Sequence, residues 1–344
     1  MTSSAGSVPS RMRLEIDQQP AALTATYANL RPAAARVRQI VEGCRSVLFL
    51  ARGTSDNAAT YGRYLMEIAV GKQTSSGAPS VATLYRATVD LRETVAFVIS
   101  QSGETEELVE SAAWARRNGA VTIALTNSPG SALIDICDDV LVTAAGEERA
   151  VPATKSFTAQ LLTLAMVARP DLADDLAVVG DRVGLLLEHL SQCAQLDDAV
   201  RMLTSARAVV CTGRGFTLAA AAEAALKLTE TTGMPCAGLS AADLQHGPLA
   251  MLGEPVPLVV LAPSDGPTLP GLAVVAESAR RRGSPIIRIG GFGGQRIAAG
   301  EFTEPLSPIG LTVVAQIIAE ATSRARGIDP DAPLGLTKIT QTAN

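Results

Sequence analysis

The chain is short of histidine, of paired cysteines, of charge blocks and of long apolar runs. Among its 344 residues only His189 and His246 are histidines. No Cys, Asp or Glu cluster has ligand spacing, so no metal is expected, and nothing points to a cofactor. The five cysteines (Cys44, Cys137, Cys193, Cys211, Cys236) are odd in number, widely spaced and without a CxxC pair. They predict buried thiols in a reducing cytoplasm rather than disulfides or zinc ligands. Lysine and arginine are dispersed and the net charge is −5, which argues against a nucleic-acid or membrane surface as partner. An anionic substrate must then be held by local groups. No apolar run suggests a membrane span. Met1 to Arg13 is Ser-rich without an apolar centre, unlike a signal peptide. These absences predict a cytoplasmic globular protein.

What is present is core-forming material used twice. With 47% hydrophobic and 18% charged residues, the chain has enough apolar mass for two domains or one large one. Strand candidates at 47–51, 81–84, 94–99, 121–125 and 140–142 alternate with helical stretches, the pattern of a parallel sheet covered on both faces. A second series follows, with strands at 208–212, 257–262 and 285–289 and helices at 218–232, 270–282 and 311–327. Further helices are expected at 21–42, 154–167 and 176–205, with a break at Ala168-Arg169-Pro170-Asp171. Arg52-Gly53 and Arg214-Gly215 lie 162 residues apart. At that offset Phe97–Ile99 falls on Val259–Leu261, strand on strand, an internal duplication.

The two halves differ where chemistry is expected. Ser100-Gln101-Ser102-Gly103-Glu104-Thr105 ends a strand and opens a helix, where hydroxyls and free backbone N–H groups converge in a way that suits a phosphate. Taken alone, it fits an ordinary Ser-capped turn equally well. Its counterpart, Ala262-Pro263-Ser264-Asp265-Gly266-Pro267, loses hydroxyls, carries its carboxylate one position earlier at Asp265, and gains two prolines. One site per chain, on the first half, is therefore expected. Ligands of open α/β sheets sit at the carboxyl ends of strands. Gly53-Thr54-Ser55 should then lie beside the 100–105 loop and contact a sugar, although Gly53 also suits a plain turn.

Glu223, Lys227 and Glu230 are spaced four and three apart, on one helix face. Such spacing commonly marks a surface ion-pair ladder. The small and apolar residues around it, Ala219 to Leu226, predict instead a buried helix in which a lysine tunes two carboxylates. His246, before Gly247-Pro248, is the candidate for proton transfer near neutral pH. His189 reads as structural, on a surface helix, and Lys155 as a surface lysine opening a helix.

These strings, with Ala153-Thr154-Lys155-Ser156-Phe157 and His246-Gly247-Pro248-Leu249-Ala250, resemble the sugar isomerase (SIS) family. The resemblance is to the isomerase half of glutamine–fructose-6-phosphate aminotransferase and to stand-alone glucosamine-6-phosphate deaminases, and it runs from Glu15 to Lys338. It implies an α/β fold of two tandem SIS domains, each a doubly wound, flavodoxin-like parallel sheet flanked by helices. The implied division is an N-terminal segment at 1–20, domain 1 with the phosphate loop at 21–168, domain 2 with the catalytic helix at 169–327, and a tail over the sugar at 328–344. Ser100, Gln101, Ser102 and Thr105 would hold the phosphate. Gly53, Thr54, Ser55, Val151 and Ala153 would line the sugar. Glu230 would move the proton between C1 and C2, beside Lys227 and Glu223. His246 would open the ring from a neighbouring subunit, so a homodimer with a shared site is implied. Lys338, in Gly335-Leu336-Thr337-Lys338, would meet the open-chain carbonyl.

Two departures qualify the resemblance. Val151-Pro152-Ala153 replaces a segment that in the aminotransferase carries a serine near the substrate, and Gln245 replaces the lysine before the histidine. No glutaminase nucleophile follows Met1, since residue 2 is threonine, so deamination of an amino sugar 6-phosphate is expected rather than synthesis. Dehydration of N-acetylglucosamine 6-phosphate, deglycation of a fructosamine 6-phosphate, aldose–ketose isomerisation and a sensor without turnover stand as alternatives. Glu230, His246 and Lys338 together favour an enzyme, because a sensor needs only the phosphate and sugar contacts.

Overall fold

A computed structural model of the protein describes residues 8–291, 295–333 and 335–338. The first seven residues of the expected N-terminal segment, and residues 334 and 339–344 of the expected tail, lie outside the described part.

The described strands form two parallel sheets. The first contains β1 (Ser46–Ala51), β2 (Gln73–Ser76), β3 (Thr94–Ile99), β4 (Val121–Thr126) and β5 (Asp139–Val142), in the order β2-β1-β3-β4-β5. The second contains β6 (Val209–Gly213), β7 (Cys236–Ser240), β8 (Leu258–Ala262) and β9 (Ile286–Gly290), ordered β7-β6-β8-β9. Among the described residues the second sheet repeats the first four strands of the first, with an isolated parallel bridge between Ile289 and Ile297 where the first has its fifth. Both have the doubly wound order in which the crevice opens between the first and third strands of the half. The two tandem α/β units expected from the duplication are thus present.

Each sheet is buried on both faces. Along β1, Val47, Phe49 and Ala51 point into one large core that spans both halves, while Leu48 and Leu50 point into a smaller core under Leu108, Ala112 and Trp114. That division follows from the period of two along a strand. The large core also receives the helices Lys155–Ala168, Thr217–Thr232 and Ser307–Ala325.

Several expectations need correction. Residues 81–84 are not a strand, because Pro79–Thr83 forms a short helix and β2 lies earlier. β2 has the sequence QTSS and β7 has CAGLS, both largely exposed or half-buried. Edge strands with so little apolar surface leave no alternation to read. The helix expected over 176–205 is interrupted, giving Val179–Leu190 and Ala194–Ser205. Only Cys211 among the cysteines is buried, and all five are free. The segment Glu304–Ala325 is long and apolar enough to cross a membrane, with 94% of an apolar 18-residue window within it buried inside the protein. Its packing in the core accounts for its composition.

Candidate active site

The first sheet ends at a cavity of about 390 Å³, lined by Arg52 to Ser55, Ser100 to Ser102, Thr105, Val151, Ala153, Lys227, Glu230 and Leu336 to Lys338. Residues from five separate stretches of chain converge there. All the expected phosphate and sugar residues, with Lys227, Glu230 and Lys338, belong to this wall. Glu223 lies beneath it, and His246 does not line it. His246 is exposed, in the turn between Ala241–Gln245 and Pro248–Met251.

The loop after β3 is organised by its own hydroxyls. Gly103 N donates to Ser100 Oγ at 3.1 Å and Glu104 N donates to Ser102 Oγ at 3.2 Å. These two backbone amides are therefore engaged within the loop, which corrects the expectation that its N–H groups are free. The gain is orientation: an oxygen that accepts from its own loop keeps its O–H to donate outward. Gly103 has φ +67°, and a Cβ there would lie 2.2 Å from Ser131 Oγ, so the turn requires glycine. Thr105 opens the helix Glu106–Arg117 without capping it through its side chain. Its hydroxyl stands at the positive end of that helix.

The loop after β1 supplies the facing wall. Gly53, at φ +56°, turns the chain into Thr54–Leu65. Ser55 Oγ accepts from Gln160 Nε2 at 3.1 Å, again leaving the hydroxyl proton to donate. Arg52 reaches across to Glu107 through two hydrogen bonds of 2.9 and 3.0 Å. That guanidinium is one of three described cations on the cavity wall, with Lys227 and Lys338.

The charged helix face behaves as a buried unit. Lys227 Nζ lies 2.5 Å from Glu230 Oε2 and 3.4 Å from Glu223 Oε1, with the Lys227 and Glu223 side chains each 1% exposed and Glu230 22%. Thr54 Oγ1 and Asn57 Nδ2, both from the first half, donate to the Glu223 carboxylate at 3.0 and 2.8 Å. Burial raises the Glu223 carboxyl above the ordinary range, against the pull of Lys227. Burial alone would lower Lys227, yet Glu223 and Glu230 outweigh it and hold the ammonium above its usual value. Lys227 is thus a fixed cation, and Glu230 is the carboxylate of the trio that reaches the cavity.

The wall 148–156 contains groups the sequence reading passed over. The Glu148 side chain is fully buried and accepts from Thr154 N, Thr154 Oγ1, Ser156 N, Ser156 Oγ and Lys338 Nζ at 2.7 to 3.2 Å. Glu15 caps the N–H groups of Arg149 and Ala150. Lys155 is not a surface residue: it is 3% exposed, with Nζ donating to Gln18 Oε1 at 2.7 Å. Asn57 was within reach of sequence reasoning, one helical turn from Thr54. Glu15 carried no such signal, because its partners Arg149 and Ala150 are distant in the chain, and neither did Glu148, whose nearby partners Thr154 and Ser156 lie in no periodic spacing with it and whose ion-pair partner Lys338 is distant.

The corresponding end of the second sheet opens on a cavity of about 580 Å³ lined by Asp265, Arg296, Glu301 and Thr303, among others. Its loop differs as expected. Thr268 Oγ1 donates to Glu304 at 3.3 Å, and the same carboxylate crowds Gly266. Among the described residues no group of three His, Cys, Asp or Glu is arranged to hold a metal.

Comparisons with known proteins agree with the fold. The SIS domain family matches residues 40–169 and 202–305, one match on each sheet. The glutamine–fructose-6-phosphate aminotransferase [isomerizing] of Thermococcus kodakarensis is 33% identical over 355 residues, covering 96% of this chain and 58% of that protein. Its counterpart from Methanothermobacter thermautotrophicus is 32% identical over 340 residues, covering 95% and 56%. The chain thus spans somewhat over half the length of these curated relatives. Two solved structures share the fold at lower identity. The C-terminal domain of glucosamine-fructose-6-phosphate aminotransferase from Francisella tularensis has a TM-score of 0.83 at 24% identity, covering 94% of this chain and 99% of that one. The glucosamine-6-phosphate deaminase of Thermotoga maritima has 0.74 at 23%, covering 97% and 100%. With both sheets matched and a third of its residues shared with a relative along almost its whole length, the chain belongs to the SIS domain family.

Proposed function

We propose that the chain acts on an amino sugar 6-phosphate by ring opening and proton transfer between C1 and C2, and that it deaminates glucosamine 6-phosphate. In this reading residues 21–168 carry the phosphate loop, 169–327 the catalytic helix and 328–344 the tail. The observation that supports it best is the placement of Glu230, tied to the buried Lys227, in the same cavity as the hydroxyl loop. Ser100, Gln101, Ser102 and Thr105 take the phosphate, and Thr54, Ser55 and the 151–153 wall take the sugar.

Ring opening moves a proton from O1 to O5, a step assigned to His246 of a second copy of the chain. Glu230 then removes the C2 proton from the open-chain aldehyde; the C2–H electrons form the C1=C2 bond, the C1=O pair moves to O1, and O1 takes a proton from solvent to give the enolamine. Protonation at C1 gives the C2 imine. Water adds to C2 and ammonia leaves, giving fructose 6-phosphate. Lys227 orients Glu230 through their ion pair, and Lys338 donates to the carbonyl oxygen on which charge develops.

The test is a product screen of the purified protein against glucosamine 6-phosphate, its N-acetyl form and fructosamine 6-phosphates. Ammonia, fructose 6-phosphate and ultraviolet-absorbing dehydration products are followed, and C2 exchange is measured in deuterated water. Glucosamine 6-phosphate should give ammonia and fructose 6-phosphate in equal amounts. Glu230→Gln should bind and lose about a hundredfold to ten-thousandfold in exchange. Tight binding with no exchange for every sugar phosphate would replace this reading with a sensor.

A further inference from the structure

The Glu148 side chain has no exposed surface, and its partners divide cleanly between its two oxygens. Oε1 accepts from Thr154 N at 2.9 Å, Ser156 N at 3.1 Å and Thr154 Oγ1 at 3.2 Å. Oε2 accepts from Ser156 Oγ at 2.7 Å and Lys338 Nζ at 2.9 Å. Four of these five donors come from the start of one helix, and they fix the carboxylate in place. The fifth is the cation at the end of the described tail. Lys338 remains 22% exposed and lines the cavity beside Leu336 and Thr337.

A buried carboxylate without a counter-charge is costly, so the remaining acceptor position at Oε2 selects an ammonium, and Lys338 fills it. The nearby charges do not compete for it. Lys155 is bonded to Gln18, and Glu15, the other carboxylate close enough to interact with both Glu148 and Lys338, is occupied by the amides of Arg149 and Ala150. The tail itself is tied to the same wall, with Val151 N donating to Asp331 O at 3.1 Å.

We infer that Glu148 is a positioning residue that seats the Lys338 ammonium at the cavity wall and so fixes where this cation meets the sugar. Glu148 touches no substrate. It acts through Lys338, and its effect on turnover must vanish when Lys338 is absent. The kinetic arm of the test rests on the proposed function. The structural arm does not.

The experiment uses the full chain as wild type, Glu148→Gln, Lys338→Gln and the double variant. Without substrate, hydrogen–deuterium exchange of the peptide containing Lys338 should be faster in Glu148→Gln than in wild type. Unchanged exchange overturns the inference. With glucosamine 6-phosphate, Glu148→Gln should lose about a hundredfold in kcat/KM, the scale of a displaced catalytic group. Lys338→Gln should lose at least as much, and the double variant should match Lys338→Gln within about twofold. Losses that multiply would mean that Glu148 merely supports the 148–156 turn, and would overturn the proposal. If Glu148→Gln does not fold, Glu148→Asp replaces it, withdrawing the carboxylate by one methylene, and must show the same faster exchange and the same non-additivity. If wild type turns over no sugar phosphate, the proposed function fails while the exchange arm still decides the Glu148 seat.

Discussion

Thr54 Oγ1 accepts a hydrogen bond of 3.0 Å from Lys227 Nζ, joining the first residue of a helix in one half to the buried cation in the other. The same hydroxyl donates to Glu223 Oε1, so its single proton is committed. A sugar group that meets Thr54 must therefore donate to it. The contact ties the Thr54 wall of the cavity to the charged helix face, whose Lys227 lines the same cavity.

Replacing Thr54 by valine keeps the shape and removes both bonds. Lys227 and Glu223 each lose a partner in a site with almost no water, and leaving such groups short of a bond costs about 1–3 kcal/mol. Urea unfolding should show a loss of that size for Thr54→Val and little for Thr54→Ser. Equal stability of all three proteins would mean that the hydroxyl is not part of the buried network.

Phosphate binding should be one-sided. Ser102 keeps its proton for a ligand because its oxygen is already engaged by Glu104 N. Ser264 instead donates to Phe302 O at 3.4 Å, in a loop crowded by Glu304. Ser102→Ala should weaken binding of a sugar 6-phosphate by about 1.5–3 kcal/mol, the range for a hydrogen bond to a charged group. Ser264→Ala should leave calorimetric affinity unchanged. Equal affinities for both variants would end the single-site reading.

The legibility of the chain followed its local chemistry. β1, β3 and β4 announced themselves as apolar runs, and the 162-residue offset aligned the halves because their central strands bury the same kind of residue on both faces. β2 and β7 escaped because edge strands can be polar. The Glu223-Lys227-Glu230 face was readable from helical spacing and small neighbours. Asn57, Arg52 as a cavity residue, and Glu148 were not singled out, since each acts through a partner in another element. The 100–105 loop shows both outcomes: its hydroxyls were evident from composition, but the use of Gly103 N and Glu104 N by those hydroxyls depends on the turn geometry.

His246 stands apart from the cavity of its own chain, so its assigned role requires a second copy. The protein should sediment as a dimer or larger at assay concentration. Inactive His246→Ala and Glu230→Gln chains, mixed and allowed to exchange subunits, should regain up to about a quarter of wild-type activity, because half the dimers are hybrids and one of the two sites in each hybrid combines two intact residues. An active monomer, or no recovery after exchange shown by mass spectrometry, would exclude a shared site.

Glu148 should also leave a signature in acid. Burial alone would raise its carboxyl, but the Lys338 charge and the hydrogen bonds from Lys338, Ser156 and Thr154 hold it below the ordinary carboxylate value of 4.5. A carboxyl lowered in the folded state stabilises fully above its unfolded pKa, and that stabilisation is lost as pH falls through the folded value. At pH 7 the wild type should be more stable than Glu148→Gln by about 1.5–3 kcal/mol, the range for hydrogen bonds to a charged group. Below the ordinary carboxylate range the gap should narrow. Urea midpoints for both proteins from neutral pH down into the acid range give the comparison directly. A gap that stays constant, or widens as the pH falls, would show that Glu148 is not held as a carboxylate by Lys338, because a glutamine at this position does not titrate and only the wild-type carboxyl can change the gap with pH.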